Sequence, residues 1–455
     1  MVNNQNMKPY PAYKPSGIPW LGDIPAHWGV KRLKYLAEIN PVKRNMINLT
    51  ADCPVTFLPM EAVGFGYIET RYTKTLSEVN QGFTHFEEED VLVAKITPCF
   101  ENGKGAIATN LENGVGFGTT ELHVIRCQEK YNNRYLLYLT ISQPFRKIGE
   151  GKMQGTAGQK RVMESFVRDF PVPLPPLAEQ QAIAAYLDGE TARLDALAAR
   201  YRRLLALLDE KRRALITNAV TRGLNPTAPL KDSGIEWLGD IPAHWEVEKL
   251  KQTIMFCQNG IWGDEPDSKN DLPCVRVADF DRTRNRVNSP IPTLRSIPIT
   301  DASRRMLKNN DLLIEKSGGG DSQPVGTVVL FDLNVPAVCS NFIARIPTAP
   351  GYFPNFLCYL HAFLYSIRIN TKSIKQNTGI QNLDTESYFS EFVGLPPLAE
   401  QQAIAAYLDR ETTRLDDLKA KIETLLARLG EYRAALISAA VTGKMDVTQT
   451  HQELA

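Results

Sequence analysis

The fifteen residues LPPLAEQQAIAAYLD, 174 to 188, occur a second time without a change at 395 to 409. A second phrase behaves the same way: SGIPWLGDIPAHW at 16 to 28 returns as SGIEWLGDIPAHW at 233 to 245, with Pro19 against Glu236 as the one difference. The first phrases lie 217 residues apart and the second phrases 221, so the segments between them, 29 to 173 and 246 to 394, differ in length by four residues. Most of their sequence differs. At 455 residues the chain is long for a single core, and the repeat divides it into two copies whose frames agree while their contents vary.

Inside the variable parts faint echoes survive at the 221 offset: EDVLVAKI with Asp90 and Lys95 against NDLLIEKS with Asp311 and Lys316, and Gly105 against Gly326. Both interiors open on β-rich runs such as VLVAKI and TVVLF broken by glycine-rich turns, then pass to aromatic, helix-like stretches, YNNRYLLYLTISQPF and YFPNFLCYLHAFLYSI. The fold class expected is α+β: two domains with mixed β-sheet and helices, separated by two long antiparallel helices forming a coiled coil, with an internal pseudo-twofold repeat.

The helices follow the second phrase. Pro175 and Pro176, like Pro396 and Pro397, suit a helix start, where the first-turn amides need no partner. Apolar residues then recur every seven: Leu187, Leu194, Tyr201, Leu208 and Leu215 in the first copy, Leu408, Leu415, Ile422, Leu429 and Leu436 in the second. A second stripe, Leu197 and Leu204 against Leu418, Leu425 and Tyr432, completes an a/d seam that calls for a partner helix. The alternative is a helix packed on its own domain, which ordinarily carries a wider apolar face. Gly189, Glu190 and Glu411 interrupt the seam, so a short helix is expected to end there before a long one begins. From Thr191 to Val220 such a rod measures ~45 Å, or ~13 base pairs of B-DNA.

Composition narrows the function classes. Hydrophobic residues at 43% and charged residues at 23% are ordinary for a soluble globular protein. There is no run of eighteen apolar residues, and the opening MVNNQNMKPYPAYKPSG carries neither a basic leader nor an apolar signal core, so a cytoplasmic protein is expected. The seven cysteines lie at no zinc spacing and read as reduced. With 52 Lys and Arg against 51 Asp and Glu, the net charge of +1 offers no global attraction to nucleic acid, and a DNA face has to be a local patch.

The repeated phrases, their order and the heptad helix after each closely resemble the specificity subunit of type I restriction-modification enzymes, from about residue 16 to 445. The resemblance implies target recognition domains at 1–173 and 229–394, conserved spacer helices at 174–228 and 395–446, and a polar tail at 447–455. It further implies a chain that reads a bipartite, asymmetric DNA site and directs adenine methylation and restriction by its partners. Those partners would be two modification (methyltransferase) subunits that bind S-adenosylmethionine and two motor-nuclease restriction subunits that use ATP and Mg2+. The chain itself would bind no cofactor or metal and no membrane. Two similar domains present two similar surfaces to two identical partners. Four of the five tryptophans, Trp20, Trp28, Trp237 and Trp245, sit in the repeated phrase, which reads as an anchor holding each domain to its helix; His27 and His244 read as structural. A base-stacking platform fits less well, because both copies are alike while their targets differ.

No catalytic constellation of its own is visible. ENGKG around Lys104 lacks phosphate-loop spacing, SGGG at 317–320 does not match a dinucleotide turn, and no methyltransferase tetrapeptide occurs. Asp311, Glu315 and Lys316 suggest a nuclease cluster, but adjacent Glu315 and Lys316 on a strand face opposite sides. Base edges are read by amides, cations and hydroxyls. The polar, glycine-loosened segments of the first copy offer Lys95, Thr97 and Lys104, then Thr119 and Thr120, then Gln154, Thr156, Gln159, Lys160 and Arg161. The second offers Lys316, Ser317 and Gln323, then Asn341, then Lys375, Gln376, Asn377, Thr378, Gln381 and Asn382. The last segment of each set has the same make-up just before LPPLAEQQ, and Gln159 and Gln381 are its expected base readers. The basic stretch ARYRRLLALLDEKRRAL, 199–215, suits partner contact or phosphates. Two other classes fit the sequence: a protein-protein scaffold with tandem binding domains, and a stand-alone DNA enzyme.

Overall fold

The computed structural model describes residues 9–43, 49–156, 158–377 and 379–448. The chain forms two compact units, one running to Arg202 and resuming at Glu423, the other spanning Arg203–Ile422. This division falls inside both long helices.

In the first unit, Thr73–Thr75, Pro54–Leu58, Val115–Gly118 and Thr84–Glu87 form one four-stranded sheet in that order, and Ala37–Ile39, Leu122–Cys127, Val91–Ala94 and Gly105–Ile107 form another. Val91–Ala94 is buried along its whole length, as its unbroken apolar run requires. Helix α1, Asn133–Ile141, is capped by the Asn132 side chain, which accepts from Tyr135 N. Its Tyr135, Leu136 and Leu139 join Phe145 and Phe170 in a core that also takes Ile183 and Leu187 from helix α2, Leu177–Arg222.

The second unit carries a six-stranded sheet, ordered Gln258–Asn259, Ile343–Ile346, Asp311–Glu315, Val328–Phe331, Arg286–Val287, Phe280–Asp281. Two three-stranded sheets accompany it, Leu294–Ser296 with Asp271–Val275 and Val338–Cys339, and Ser317–Gly318 with Ile380–Leu383 and Ile374–Asn377. Helix α3, Pro354–Ser366, starts on a proline and buries Phe356, Leu357 and Leu360. With them pack Ile404 and Leu408 of helix α4, Leu398–Val441, and Ile216 and Val220 from the end of α2.

The repeat extends to strand register. Phe57 pairs in parallel with Phe117 in the first unit, and Cys274 pairs in parallel with Val338 in the second, at offsets of 217 and 221. Asp90 caps its turn by accepting from Glu87 N and binds Arg126, as Asp311 accepts from Lys308 N and binds Arg345.

Each unit holds stretches of both long helices running antiparallel. Arg433 meets Asp195 at 3.2 Å in the first; Arg212 meets Asp416 at 2.7 Å and Lys419 meets Asp209 at 2.6 Å in the second. The expected break near Gly189 does not occur. α2 is continuous, because one exposed glycine costs a helix only about 1 kcal/mol against alanine, and a Cβ there would meet open space. Of the first heptad stripe, Leu187, Leu194, Leu208, Leu408, Leu415, Ile422 and Leu436 are buried, while Tyr201, Leu215 and Leu429 are half-buried. The second stripe departs from expectation. Leu197 is half-buried, and Leu204, Leu418 and Leu425 are exposed at 38%, 42% and 41%, because two helices cover one stripe and, among the described residues, these three leucines of the other are left open. Among the described residues, no helix is long and apolar enough to cross a membrane.

Candidate nucleic-acid interface

The repeated phrases meet each other. In the first unit the strand after the opening phrase, Gly29–Arg32, pairs with the strand before the closing phrase, Pro171–Leu174; Glu246–Lys249 and Phe392–Leu395 do the same in the second. This brings the tryptophan of one phrase onto the glutamate of the other. Trp28 is fully buried and its Nε1 donates to Glu179 Oε1 at 3.0 Å, while His27 Nε2 lies 2.8 Å from Glu179 Oε2 and the Tyr10 hydroxyl donates to Oε1 at 2.6 Å. Burial and then the Glu179 carboxylate hold the Tyr10 pKa far above its ordinary range. Trp245 and His244 contact Glu400 in the same way, at 3.2 and 2.7 Å.

The neighbouring glutamine adds a second joint. Gln180 donates to Pro175 O and accepts from Asn132 N at the head of α1; Gln401 donates to Pro396 O and accepts from Phe353 N at the head of α3. A third joint puts the Tyr138 hydroxyl on Asp188 at 2.8 Å and the Tyr359 hydroxyl on Asp409 at 2.7 Å. Trp20 stacks near Phe170 and Trp237 near Phe363. Indole, histidine, glutamate and glutamine thus act as a fixed mount: Trp28 and Trp245 are fully buried, Trp20 and Trp237 are half-buried against Phe170 and Phe363, and the exposed His27 and His244 are held by Glu179 and Glu400.

On this mount the polar segments converge. Lys95 N donates to Glu121 O at 2.9 Å, and Lys95 O accepts from Val162 N at 2.8 Å. That ties the Lys95–Lys104 segment to Thr119–Thr120 and to the loop between Gln154 and Arg161, whose ends form a two-bond bridge. Lys316 does the same in the second unit: its N donates to Phe342 O and its O accepts from Leu383 N, both at 2.8 Å. Lys375 and Asn382 pair where Gln154 and Arg161 pair in the first unit. Gly158 and Gly379 hold φ of +75° and +85° at corresponding turns of the two loops, a conformation that a Cβ disfavours.

The side chains on this shared frame differ. In the first unit Thr120, Gln154, Thr156, Gln159 and Lys160 are exposed, and Lys95, Thr97 and Thr119 are half-buried. The Thr97 hydroxyl donates to Lys160 O, Lys104 Nζ is drawn onto Met60 O at 3.0 Å, and Arg161 forms a bidentate pair with Glu121, which raises the guanidinium pKa. In the second unit Gln323, Asn341, Lys375, Gln376 and Asn382 are exposed. Lys316 Nζ donates to Asn259 Oδ1, Ser317 donates to Asn382 Oδ1, and Lys375 pairs with Asp384.

Gln381 corrects an expectation. It is 6% exposed, and its amide oxygen accepts from Val325 N at 3.3 Å, so it stabilises the fold and its cross-strand partner Gln376 is the exposed amide. Thr378 and the side chain of Asn377 lie outside the described residues. Sequence reading did not single out Trp262, Phe342 or Glu121, although the 221 offset aligns GTTE with CSNF and so marks Glu121 and Phe342.

Chemistry beyond binding finds no footing at the Asp311 cluster. Arg345 occupies Asp311 and Arg282 occupies Glu315, whose carboxyl pKa is raised by burial against the opposing pull of Arg282. Among the described residues no group of three His, Cys, Asp or Glu side chains is placed to hold a metal ion.

Comparisons with known proteins agree with this geometry. Residues 25–201 and 265–428 match the family model described as the type I restriction modification DNA specificity domain. The chain is 35% identical over 286 residues to the type I restriction enzyme EcoAI specificity subunit of Escherichia coli, an alignment covering 60% of this chain and 46% of that protein. To the EcoEI specificity subunit of Escherichia coli it is 41% identical over 165 residues, covering 35% of this chain and 27% of that one. The chain thus spans less than half the length of these curated relatives. Among solved structures, a chain from work on complex assembly and conformational transition of the type I R-M system superposes with TM-score 0.70 at 19% identity, over 92% of this chain and 98% of that one. The HsdS subunit from Thermoanaerobacter tengcongensis does so with TM-score 0.53 at 20% identity, over 93% and 98%. At these identities the superpositions speak for the fold.

Proposed function

The chain belongs to the type I restriction-modification DNA specificity family, and on that premise we propose that it is the non-catalytic DNA-reading subunit of such a system. It reads a bipartite, asymmetric site, one half per unit, and directs adenine methylation and restriction by partner subunits. The observation that carries this reading is the pair of loops, Gln154–Arg161 and Lys375–Asn382, mounted on the same backbone bonds of Lys95 and Lys316 with different side chains. A frame held constant under changing polar side chains is what two readers of two different words require. Lys152 and Lys160 in the first unit and Lys372 in the second are exposed beside these loops, with Lys375 paired to Asp384, so each unit carries local positive charge within a chain of net charge +1.

The leucines left open on the helices, Leu425 in the first unit and Leu204, Leu207 and Leu418 in the second, support docking of two modification subunits there, with S-adenosylmethionine held by those subunits. Two motor-nuclease subunits using ATP and Mg2+ complete the restriction enzyme. The test is a titration of the chain, assembled with its modification subunits, against duplexes over a range of salt. Sequence-specific binding that weakens steeply with salt is expected, and Gln159→Ala and Gln376→Ala each cost about 1–3 kcal/mol of it. A chain that binds no duplex contradicts the proposal and favours a protein-protein scaffold.

A further inference from the structure

The loop lysines mount a third element in the second unit. Asn259 Oδ1 accepts from Lys316 Nζ at 2.6 Å, which ties the turn Asn259–Gly260–Ile261–Trp262–Gly263 to the reading segments. That turn is wedged in place: a Cβ on Gly260 would collide with Cys339 O, and one on Gly263, at φ +67°, would sit 2.5 Å from Ser296 O. Trp262 leaves it 37% exposed, with the Arg295 guanidinium 4.1 Å from its ring and held in turn by Glu265. The indole is therefore a fixed wall, presented outward.

Trp262 faces a cleft of about 420 Å3 shared with Phe342, Asn341, Ser317 and Gly318. Phe342 is 44% exposed and Asn341 is exposed beside it. These two neighbours share one opening because they stand in a turn, closed by Ile343 N on Ser340 O, where the alternation of a strand does not apply. In the first unit the corresponding residues are Thr120 and Glu121, and Glu121 is neutralised by Arg161. One unit thus offers an amide beside an aromatic wall where the other offers a hydroxyl beside an ion pair.

An exposed amide next to an exposed aromatic face matches one base pair in the major groove. Adenine presents N7 as acceptor and N6 as donor to an amide, and thymine presents a 5-methyl group to an apolar surface, whereas no G·C pair offers that methyl. We propose that Asn341 and Phe342, backed by Trp262, read an A·T pair in the half-site of the second unit: the Asn341 amide bonds adenine N7 and N6, and the thymine methyl lies against Phe342 and Trp262. The first unit has no such reader at this position, so the two halves of the site differ there. The proposal rests on the DNA-reading function argued above and adds the identity of one base pair.

Base analogues test it atom by atom. The full chain with its modification subunits is titrated against its own duplex, in which deoxyuridine replaces each thymine and 7-deazaadenine each adenine of the second half-site in turn. That half-site is identified as the one that changes when residues 246–394 are exchanged for those of a relative. At one pair, deoxyuridine is expected to weaken binding about threefold or more and 7-deazaadenine about fivefold or more. Phe342→Ala and Trp262→Ala should remove the first effect, which Trp262→Phe retains, and Asn341→Ala the second, while all variants keep their response to changes in the first half-site. Specific binding that no thymine analogue in the second half-site weakens, or sensitivity that persists in Phe342→Ala, overturns the A·T assignment alone. Loss of specific binding by the unaltered chain on the unaltered duplex overturns the DNA-reading function itself.

Discussion

Glu179 serves three side chains and Glu400 two, since Thr227 stands where the first copy has Tyr10. Removing the carboxylate strands buried donors, each at a cost of about 1–3 kcal/mol. We expect Glu179→Ala to destabilise its unit by about 3 kcal/mol and Glu400→Ala by about 1 kcal/mol, read as hydrogen-exchange protection of α1 and α3; equal losses would contradict the three-to-two arrangement. His361 gives a pH dependence. It is wholly buried, touches the Tyr388 hydroxyl through Nδ1, and burial lowers its pKa to about 4. The folded unit keeps it neutral while the unfolded chain takes up a proton near its ordinary pKa of about 6.5. Its contribution is therefore complete above about pH 6.5 and falls away toward pH 4, by about 3 kcal/mol in all. His361→Phe should flatten that slope in urea unfolding of the second unit, and an unchanged slope would show another group responsible. At this scale the sequence announced the tryptophans by repeating them, but Glu179 and Glu400 were hidden among identical neighbours. Gln381 and Gln376 looked alike because one place in the hairpin pairing decides which of them is buried.

The three interhelical ion pairs share one antiparallel register, the two residue numbers of each pair adding to 628. Their surroundings differ. Arg212 and Asp416 are 10% and 15% exposed, whereas Asp195, the partner of Arg433, is 62% exposed. A double-mutant cycle should give a coupling above about 1 kcal/mol for Arg212–Asp416 and below it for Arg433–Asp195; the reverse order would show that burial does not set their strength. Seven residues added after Arg202 alone could not leave Asp195–Arg433 and the pairs of Asp209 and Arg212 all in register. Added to both helices, after Arg202 and after Ile422, they lengthen each by about 10.5 Å. The gap between half-sites is then expected to widen by about 3 base pairs, and an unchanged gap would mean that the helices do not set it. The helices were legible because Leu187, Leu194, Leu208 and their counterparts keep one period from Leu187 to Leu215 and from Leu408 to Leu436. The uninterrupted run past Gly189 was not, since a tolerated glycine and a helix end look the same in sequence. The open face of Leu204, Leu418 and Leu425 was hidden too, because a heptad shows that a stripe exists and not what covers it.

For the whole chain, a repeat with constant phrases and variable interiors already implied two domains of one fold, and the matching registers Phe57–Phe117 and Cys274–Val338 bear that out. The chemistry each domain presents was less accessible. It depends on which polar side chains stand outward from the Lys95 and Lys316 mounts, and single residues such as Trp262 leave no periodic trace. The near-zero net charge means that affinity should come from the two loop patches alone. Whether each unit reads its own half of one site is decided by methylome sequencing. A cell expressing this chain with its modification subunits is compared with one in which residues 29–173 come from a relative. A bipartite adenine-methylation motif is expected, of which one half changes and the other half and its spacing stay. A motif in which both halves change, or neither, would contradict the reading of one half by each unit.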